Sequence, residues 1–282
     1  MTHLEELLKT LYVMASFVEA RDPYTGGHLW RVSQFSRLLA DAAGLPTRDV
    51  ARITLGGFLH DLGKIGVPDA ILNKPDRLTD EEYSIIKTHP EVGNSLLSGH
   101  PLAELARAAV LSHHETPDGK GYPRRLAADG IAIDARIVGI TDAFDAMTST
   151  RPYRKGMPIA KALGIIEENL GKQFDRALGE RFIRLGRGGE LDHIVGHTDV
   201  GIPLQDCPMC GPTVVVRRDQ QTGEFVFCRH CGAKAVLNRN NGSTHIVHSG
   251  ARATAEELQP EIDSALIDGL VAESGRVLGL SA

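Results

Sequence analysis

A stretch long enough to cross a bilayer is missing: the longest uncharged run near the N-terminus, Thr10 to Val18, falls well short of the ~20 apolar residues required, and no later run reaches that length either. A basic n-region is missing too, and Glu5 and Glu6 stand where one would lie, which argues against a secretory signal. There is no excess of positive charge. Lys and Arg total 31 against 36 Asp and Glu, a formal net charge of −5, so no global positive field holds DNA, RNA or an anionic membrane. Neither nucleic acid nor membrane is expected as a partner, and an anionic substrate would need its own local cluster of positive charge. Cysteines number four, in two C-x-x-C pairs late in the chain; such thiolates suit a reducing compartment, so a cytoplasmic protein is expected. Internal repeats and low-complexity tracts are absent.

Strand-like alternation is scarce before residue 190, whereas helical spacing is plain. Leu4, Leu7, Leu8, Leu11, Val13 or Met14, Phe17 and Val18 recur as one face of a helix over residues 4–20. A second helix is expected from His28 to Ala43, with Leu29, Val32, Phe35, Leu38 and Leu39 inside and Gly44 at its stop. A third runs from Thr47 to Asp61 into Leu62-Gly63-Lys64, and others fall near 79–88, 90–98, 101–114, 134–147 and 158–170. Thr79 with Glu82 suits a capping box. The division expected is a helical domain over 1–190, a Gly-, Asp- and His-rich linker over 191–206, a small β module over 207–248 and an amphipathic helical tail over 249–282, with Pro260 marking a start or break.

The residues that carry chemistry are His28, the His60-Asp61 pair, His89, the His113-His114 pair and Asp142. Singly, each reads as an ordinary hydrogen-bonded helix residue. Together, five imidazoles and two carboxylates form a donor set that suits iron, manganese or zinc better than magnesium or calcium. In a helical bundle such side chains project inward from facing helices. A carboxylate such as Asp61 can bridge two cations about 3.5–4 Å apart, the spacing used in two-metal phosphoester chemistry. Two divalent ions, the carboxylates of Asp61 and Asp142 and a bridging hydroxide leave a charge of about +1, which attracts a phosphodiester and stabilises its more negative transition state.

Four segments, Asp22 to Val32, His60 to Asp69, His113 to Pro123 and Asp142 to Arg154, closely resemble the HD-GYP domain, over about residues 8 to 187. The resemblance implies a mainly α, HD-type helical bundle and a metal-dependent phosphodiesterase that opens cyclic di-GMP to the linear dinucleotide or, by a second cut, GMP. It implies two metal ions, iron or manganese: His28, His60, Asp61 and Asp142 would hold one, and Asp61, His89, His113 and His114 the other. Asp61 and Lys64 become the expected catalytic residues, with Lys64 on the face of His60 neutralising a phosphate oxygen. Lys64, Tyr122 of the Gly-Tyr-Pro loop, Arg151 and Arg154 would contact the substrate. Relatives with a third metal carry Glu where this chain has Tyr24, so two are expected, favouring the linear product. Further expectations are a homodimer and a diguanylate cyclase or other regulatory protein docking through the loop. The motifs do not separate cyclic di-GMP from a mixed-base cyclic dinucleotide; a triphosphate hydrolase and a non-catalytic binding module are the other readings. Taken on its own, the Gly-Tyr-Pro loop reads as a plain turn, the two arginines as solvated charges, Asp145 as a hydrogen-bonding partner within its helix and His100 as a cap.

Cys207, Cys210, Cys228 and Cys231 form C-x2-C-x17-C-x2-C, the spacing of a closed four-cysteine zinc site. Gly211 and Gly232 follow the two pairs and permit tight turns. The intervening residues suggest a hairpin turning near Gln221-Thr222-Gly223, and the whole resembles a zinc ribbon with one structural zinc. Arg217, Arg218 and Arg229 read as solvated surface, His230 as a spectator, and His245 and His248 as exposed strand residues.

Overall fold

The computed structural model describes residues 2–21, 26–74, 76–150, 154–240, 243–259 and 261–280. The chain is mainly helical, with a small antiparallel β module near its C-terminal end. Helix α1 (His3–Ala20) opens on a reciprocal capping box in which Thr2 Oγ1 accepts the Glu5 N–H at 3.1 Å and Glu5 accepts the Thr2 N–H at 2.7 Å. Helices α2 (His28–Ala42) and α3 (Thr47–Leu59) follow as expected, but α3 ends before the metal motif. His60 caps it, and Asp61 begins a 3-10 turn over Leu62–Gly66, so Lys64 stands three residues past Asp61 rather than one α-turn past His60.

Short helices α4 (Asp69–Leu72), α5 (Asp80–Ile86) and α6 (His89–Leu97) come next, and the Thr79–Glu82 capping box forms with bonds of 3.2 and 2.7 Å. The helix expected over 101–114 is a 3-10 turn at Ala103–Leu105 followed by α7 (Arg107–Ser112), which stops one residue before His113. Helices α8 (Ile133–Thr148) and α9 (Ile159–Glu168) match their expected spans, and a helix not anticipated, α10 (Arg176–Arg187), is capped by Asp175 accepting the Leu178 N–H at 2.9 Å. Its glycines, Gly179 and Gly186, lower intrinsic helicity but face Leu170 and Leu163, where a larger residue would collide.

The core lies among α1, α2, α3, α8 and α10. Phe35, Phe144 and Phe182 meet edge to face, with ring centroids 5.2, 5.0 and 6.2 Å apart, joining α2, α8 and α10 directly beneath the end of α8 that carries Asp142 and Asp145. The last helix, α11 (Ser264–Leu278), buries Ile267, Leu270, Val271 and Leu278 in this same core, and its Ser274 hydroxyl pairs with the buried Tyr12 hydroxyl at 2.8 Å. Among the described residues, no helix is long and apolar enough to cross a membrane.

The stretch 191–206 is more than a connector: Leu191 and Ile194 enter the helical core, and β1 (His197–Asp199) pairs with β2 (Ile202–Pro203). The expected hairpin across Gln221–Gly223 does not form. Strand β4 (Gly211–Val214) instead pairs back to β3 (Gln205–Cys207), while β5 (Phe225–Phe227) pairs forward to β6 (Ala233–Asn240), which pairs with β7 (Ser243–Arg252). The physical reason is that each Cys-x-x-Cys occupies its own tight turn, between β3 and β4 and between β5 and β6, so the strands on either side of a cysteine pair are the ones that meet. The four sulfurs lie within 4.8 Å of one another as free thiols, with Cys207 and Cys231 Sγ atoms 3.4 Å apart. Such a set of four soft donors fits one tetrahedral cation.

Candidate metal centre

The seven expected ligands converge. His28 comes from the start of α2, His60 and Asp61 from the end of α3, His89 from the start of α6, His113 and His114 from the end of α7, and Asp142 from α8. Their ligand atoms fall into overlapping groups, each within 4.8 Å: His28, His60 and Asp142; His60, Asp61 and His113; His89, His113 and His114. His60 and His113 are 0% and 2% exposed. Asp142, Lys64, His114 and Tyr122 are only partly buried and form the rim.

Four rings have their orientation fixed from behind. Nδ1 of His60 donates to Gly57 O at 2.7 Å, that of His89 to Ile86 O at 2.8 Å and that of His113 to Ala109 O at 2.9 Å. A carbonyl only accepts, so each of these rings carries its proton on Nδ1 and turns Nε2 inward. His28 does the same against Asp145, with Nδ1 to Oδ2 at 2.8 Å. The consequence is unusual electrostatics: Nε2 of His28 faces Nε2 of His60 at 3.3 Å, and Nε2 of His89 faces Nε2 of His113 at 3.2 Å. At His89 and His113, which burial keeps neutral, the facing lone pairs repel unless something positive lies between them, and at His28 and His60 that place takes a proton or a cation, so this donor set fits divalent cations.

Asp61 stands at the junction. Its Oδ2 is 3.5 Å from His28 Nε2 and 3.4 Å from His60 Nε2, while Oδ1 is 3.6 Å from His89 Nε2. Asp142 Oδ1 closes the first group at 3.5 Å from His28 and 3.6 Å from His60. Lys64 Nζ donates to Asp61 Oδ2 at 2.7 Å. Burial works against the ionised form of Asp61, but Lys64 and His60 outweigh it and hold the carboxyl well below its usual range.

The two halves differ in proton affinity. Burial depresses His60, yet Asp61 and Asp142 overcome it and lift the ring to about 10. His28 is likewise raised against burial, by Asp145 and Asp61. On the other side burial dominates, taking His89 to about 4, His114 to about 3 and His113 well below its ordinary value. Without cations, His60 therefore carries an extra proton at neutral pH, while His89, His113 and His114 do not. A cation entering beside His60 must displace that proton, and its apparent affinity should fall about tenfold per pH unit below 10. Calorimetric titration in buffers of different ionisation enthalpy should count about one proton displaced from imidazole at pH 7 for the His28, His60 and Asp142 group and none for the His89, His113 and His114 group; zero throughout would contradict this assignment.

Glycine at two positions lets the ligands meet. A Cβ on Gly63 would lie 1.8 Å from His89 O, so only glycine allows the turn after Asp61 to pack on α6. One on Gly121 would lie 2.5 Å from Glu115 Cα and from His114 O. There the Tyr122 ring stacks on His114, centroids 4.7 Å apart, and buried Glu115 accepts the backbone N–H groups of Arg124 and Leu126 at 2.6 and 2.9 Å. Gly121→Ala should thus displace the loop, at a cost on the order of 2 kcal/mol. A lower denaturant midpoint with unchanged slope would register that cost, and an unaltered midpoint would refute it.

Other expected residues fare differently. Arg151 and Tyr24 lie outside the described residues, as does Pro260. Arg154, expected at the substrate phosphates, donates to Met147 O at 2.9 Å and to Ala146 O, satisfying carbonyls left open at the end of α8. Asp145 is more than a partner within its own helix: it binds His28 and also the buried guanidinium of Arg31, with Nε to Oδ1 at 2.6 Å. The reading of single residues missed Arg31 and Glu115. Arg31 had a signal, a charge one turn from His28 and from Phe35 on the inward side of α2, whereas Glu115 lies beyond the end of α7 and had none.

The HD domain family profile matches residues 12–178. The chain is 38% identical over 190 residues to the cyclic di-GMP phosphodiesterase response regulator RpfG of Xanthomonas campestris, covering 67% of this chain and 50% of that protein. It is 40% identical over 181 residues to a cyclic di-GMP phosphodiesterase of Thermotoga maritima, covering 64% and 49%. It is 42% identical over 159 residues to a 3'3'-cGAMP-specific phosphodiesterase of Vibrio cholerae, covering 56% and 34%. The chain thus spans half or less of the length of each.

Proposed function

The chain belongs to the HD domain family, and from that premise we propose that it is a metal-dependent phosphodiesterase that hydrolyses cyclic di-GMP to the linear dinucleotide. One observation carries the reading: Asp61 presents one carboxylate oxygen to His28 and His60 and the other to His89, each ring turned inward by a bond behind it. Two divalent cations, iron or manganese, would be held by His28, His60, Asp61 and Asp142 on one side and by Asp61, His89, His113 and His114 on the other. When bound, they supply Lewis acidity toward phosphoryl oxygens and lower the pKa of water.

The remaining roles fall to side chains. Lys64 keeps Asp61 ionised and adds a positive charge at the rim, where a phosphoryl oxygen gains charge in the transition state. The Tyr122–His114 stack forms a flat wall on which a purine can lie. The four cysteines would hold a structural zinc, since four thiolates leave no open position. A cytoplasmic setting fits thiols that must stay reduced.

Relatives specific for 3'3'-cGAMP, at 42% and 41% identity, support a second reading in which the mixed-base dinucleotide is the substrate. Purified protein loaded with Mn(II) and given cyclic di-GMP, 3'3'-cGAMP or GTP should convert cyclic di-GMP fastest. Faster turnover of 3'3'-cGAMP would select the second reading, and preference for the triphosphate would overturn both.

A further inference from the structure

Arg31 is 1% exposed, and its buried guanidinium joins three parts of the chain. Nε and Nη2 grip Asp145 Oδ1 and Oδ2 at 2.6 and 3.0 Å, and Nη2 also donates to Ser149 Oγ at 3.1 Å. Nη1 donates to Gly26 O at 2.9 Å and to His197 O at 3.0 Å. Asp145 Oδ2 then accepts the Nδ1 proton of His28. We propose that Arg31 is a positioning residue through which the docked cysteine module holds His28 in its ligating orientation, so that loosening the module lowers cation affinity at His28, His60 and Asp142.

The link runs through His197, the first residue of β1, and β1 is packed as part of the module. Thr198 Oγ1 reaches Val216 O at 3.4 Å, and Arg218 Nε donates to Asp199 Oδ2 at 2.8 Å. Ile202 of β2 shares a buried cluster with Cys207, Val214, Val216 and Cys228. A continuous set of contacts therefore leads from the cysteine sulfurs to His197 O, Arg31, Asp145 and His28. Withdrawing His197 O leaves a buried guanidinium N–H without its acceptor and loosens the fork on Asp145. The carboxylate that fixes His28 is then itself less fixed, and loss of such a partner typically costs ~10–100-fold in cation affinity.

The coupling is selective, which makes it testable. His60, His89 and His113 take their orientation from carbonyls of Gly57, Ile86 and Ala109, within their own helical segments. Only His28 depends on the Arg31–Asp145 pair, so the His89, His113 and His114 group should be untouched.

The inference rests on the two-cation reading above, and the experiment separates the two. Mn(II) is titrated into the full-length chain, into Arg31→Lys, which keeps the charge but loses the planar fork, and into Cys231→Ser, which removes one thiolate 24 residues from Cys207 in sequence and 3.4 Å away in space. The wild type should bind two ions with the paramagnetic resonance signal of a coupled pair. Both variants should bind one ion with wild-type affinity and the other about 10–100-fold more weakly, giving an isolated-ion signal at low loading. Retention of the coupled pair at unchanged affinity in either variant, or equal loss of both ions, overturns the proposal. A wild type that binds no pair would sink the two-cation reading itself and the coupling with it.

Discussion

On the proposed activity, Asp61→Asn should cut turnover of cyclic di-GMP by about a thousandfold or more, roughly 4 kcal/mol of transition-state stabilisation, and leave at most one cation in the site. Asp61 lies 3.4–3.6 Å from imidazole nitrogens on both sides and divides its two oxygens between them. An asparagine of the same shape offers one oxygen and turns an NH2 toward the other side, so it cannot serve both. It also deletes the negative charge that, with Asp142, overcomes burial at His60. The first group would thus lose a ligand and part of its attraction for any cation together. Product chromatography and elemental analysis on the same sample check the result. A variant that holds two cations and more than a tenth of the activity would show that Asp61 does not bridge.

How much of this was legible in the sequence depends on the range of the interactions involved. Adjacent His60-Asp61 and His113-His114, each near a helix end, raised the expectation of ligands without deciding it alone, because a metal site needs several donors and short motifs supply two at a time. The helices were legible for a similar reason: Leu8, Leu11, Phe35, Leu39 and Phe144 recur at the period that one buried face demands. The cysteine spacing announced the module but not its strand pairing, since the turns belong to the cysteines and not to the Gly223 region. Least legible were contacts with no local signature. Arg31 and Asp145 are 114 residues apart, and Arg31 and His197 are 166 apart; nothing in either neighbourhood names the other. The return of α11 to Tyr12 and the bonds of Arg154 to the carbonyls at the end of α8 were hidden in the same way.

Lys64→Ala should separate cation binding from catalysis, because Lys64 supplies no ligand atom yet its Nζ sits 2.7 Å from Asp61. Both cations should remain, with stoichiometry unchanged, while kcat falls about 10²–10³-fold, the usual cost of deleting one group that meets developing charge. The pH profile adds a second reading. Burial pushes Asp61 toward neutrality, and Lys64 leads the groups that hold it ionised. Asp61 is depressed in the folded protein, so its charge is present above that low value and lost only as pH falls through it. Without Lys64 the value rises, and the acid limb of both cation binding and activity should move to higher pH. Lys64→Arg, which keeps the charge, should restore the acid limb even where its bulk leaves kcat low. If Lys64→Ala sheds a cation at neutral pH, the lysine is a structural brace for Asp61 and not a partner of the phosphodiester. If both cations stay and turnover is unchanged, the positive charge at the reacting phosphate comes from the cations alone.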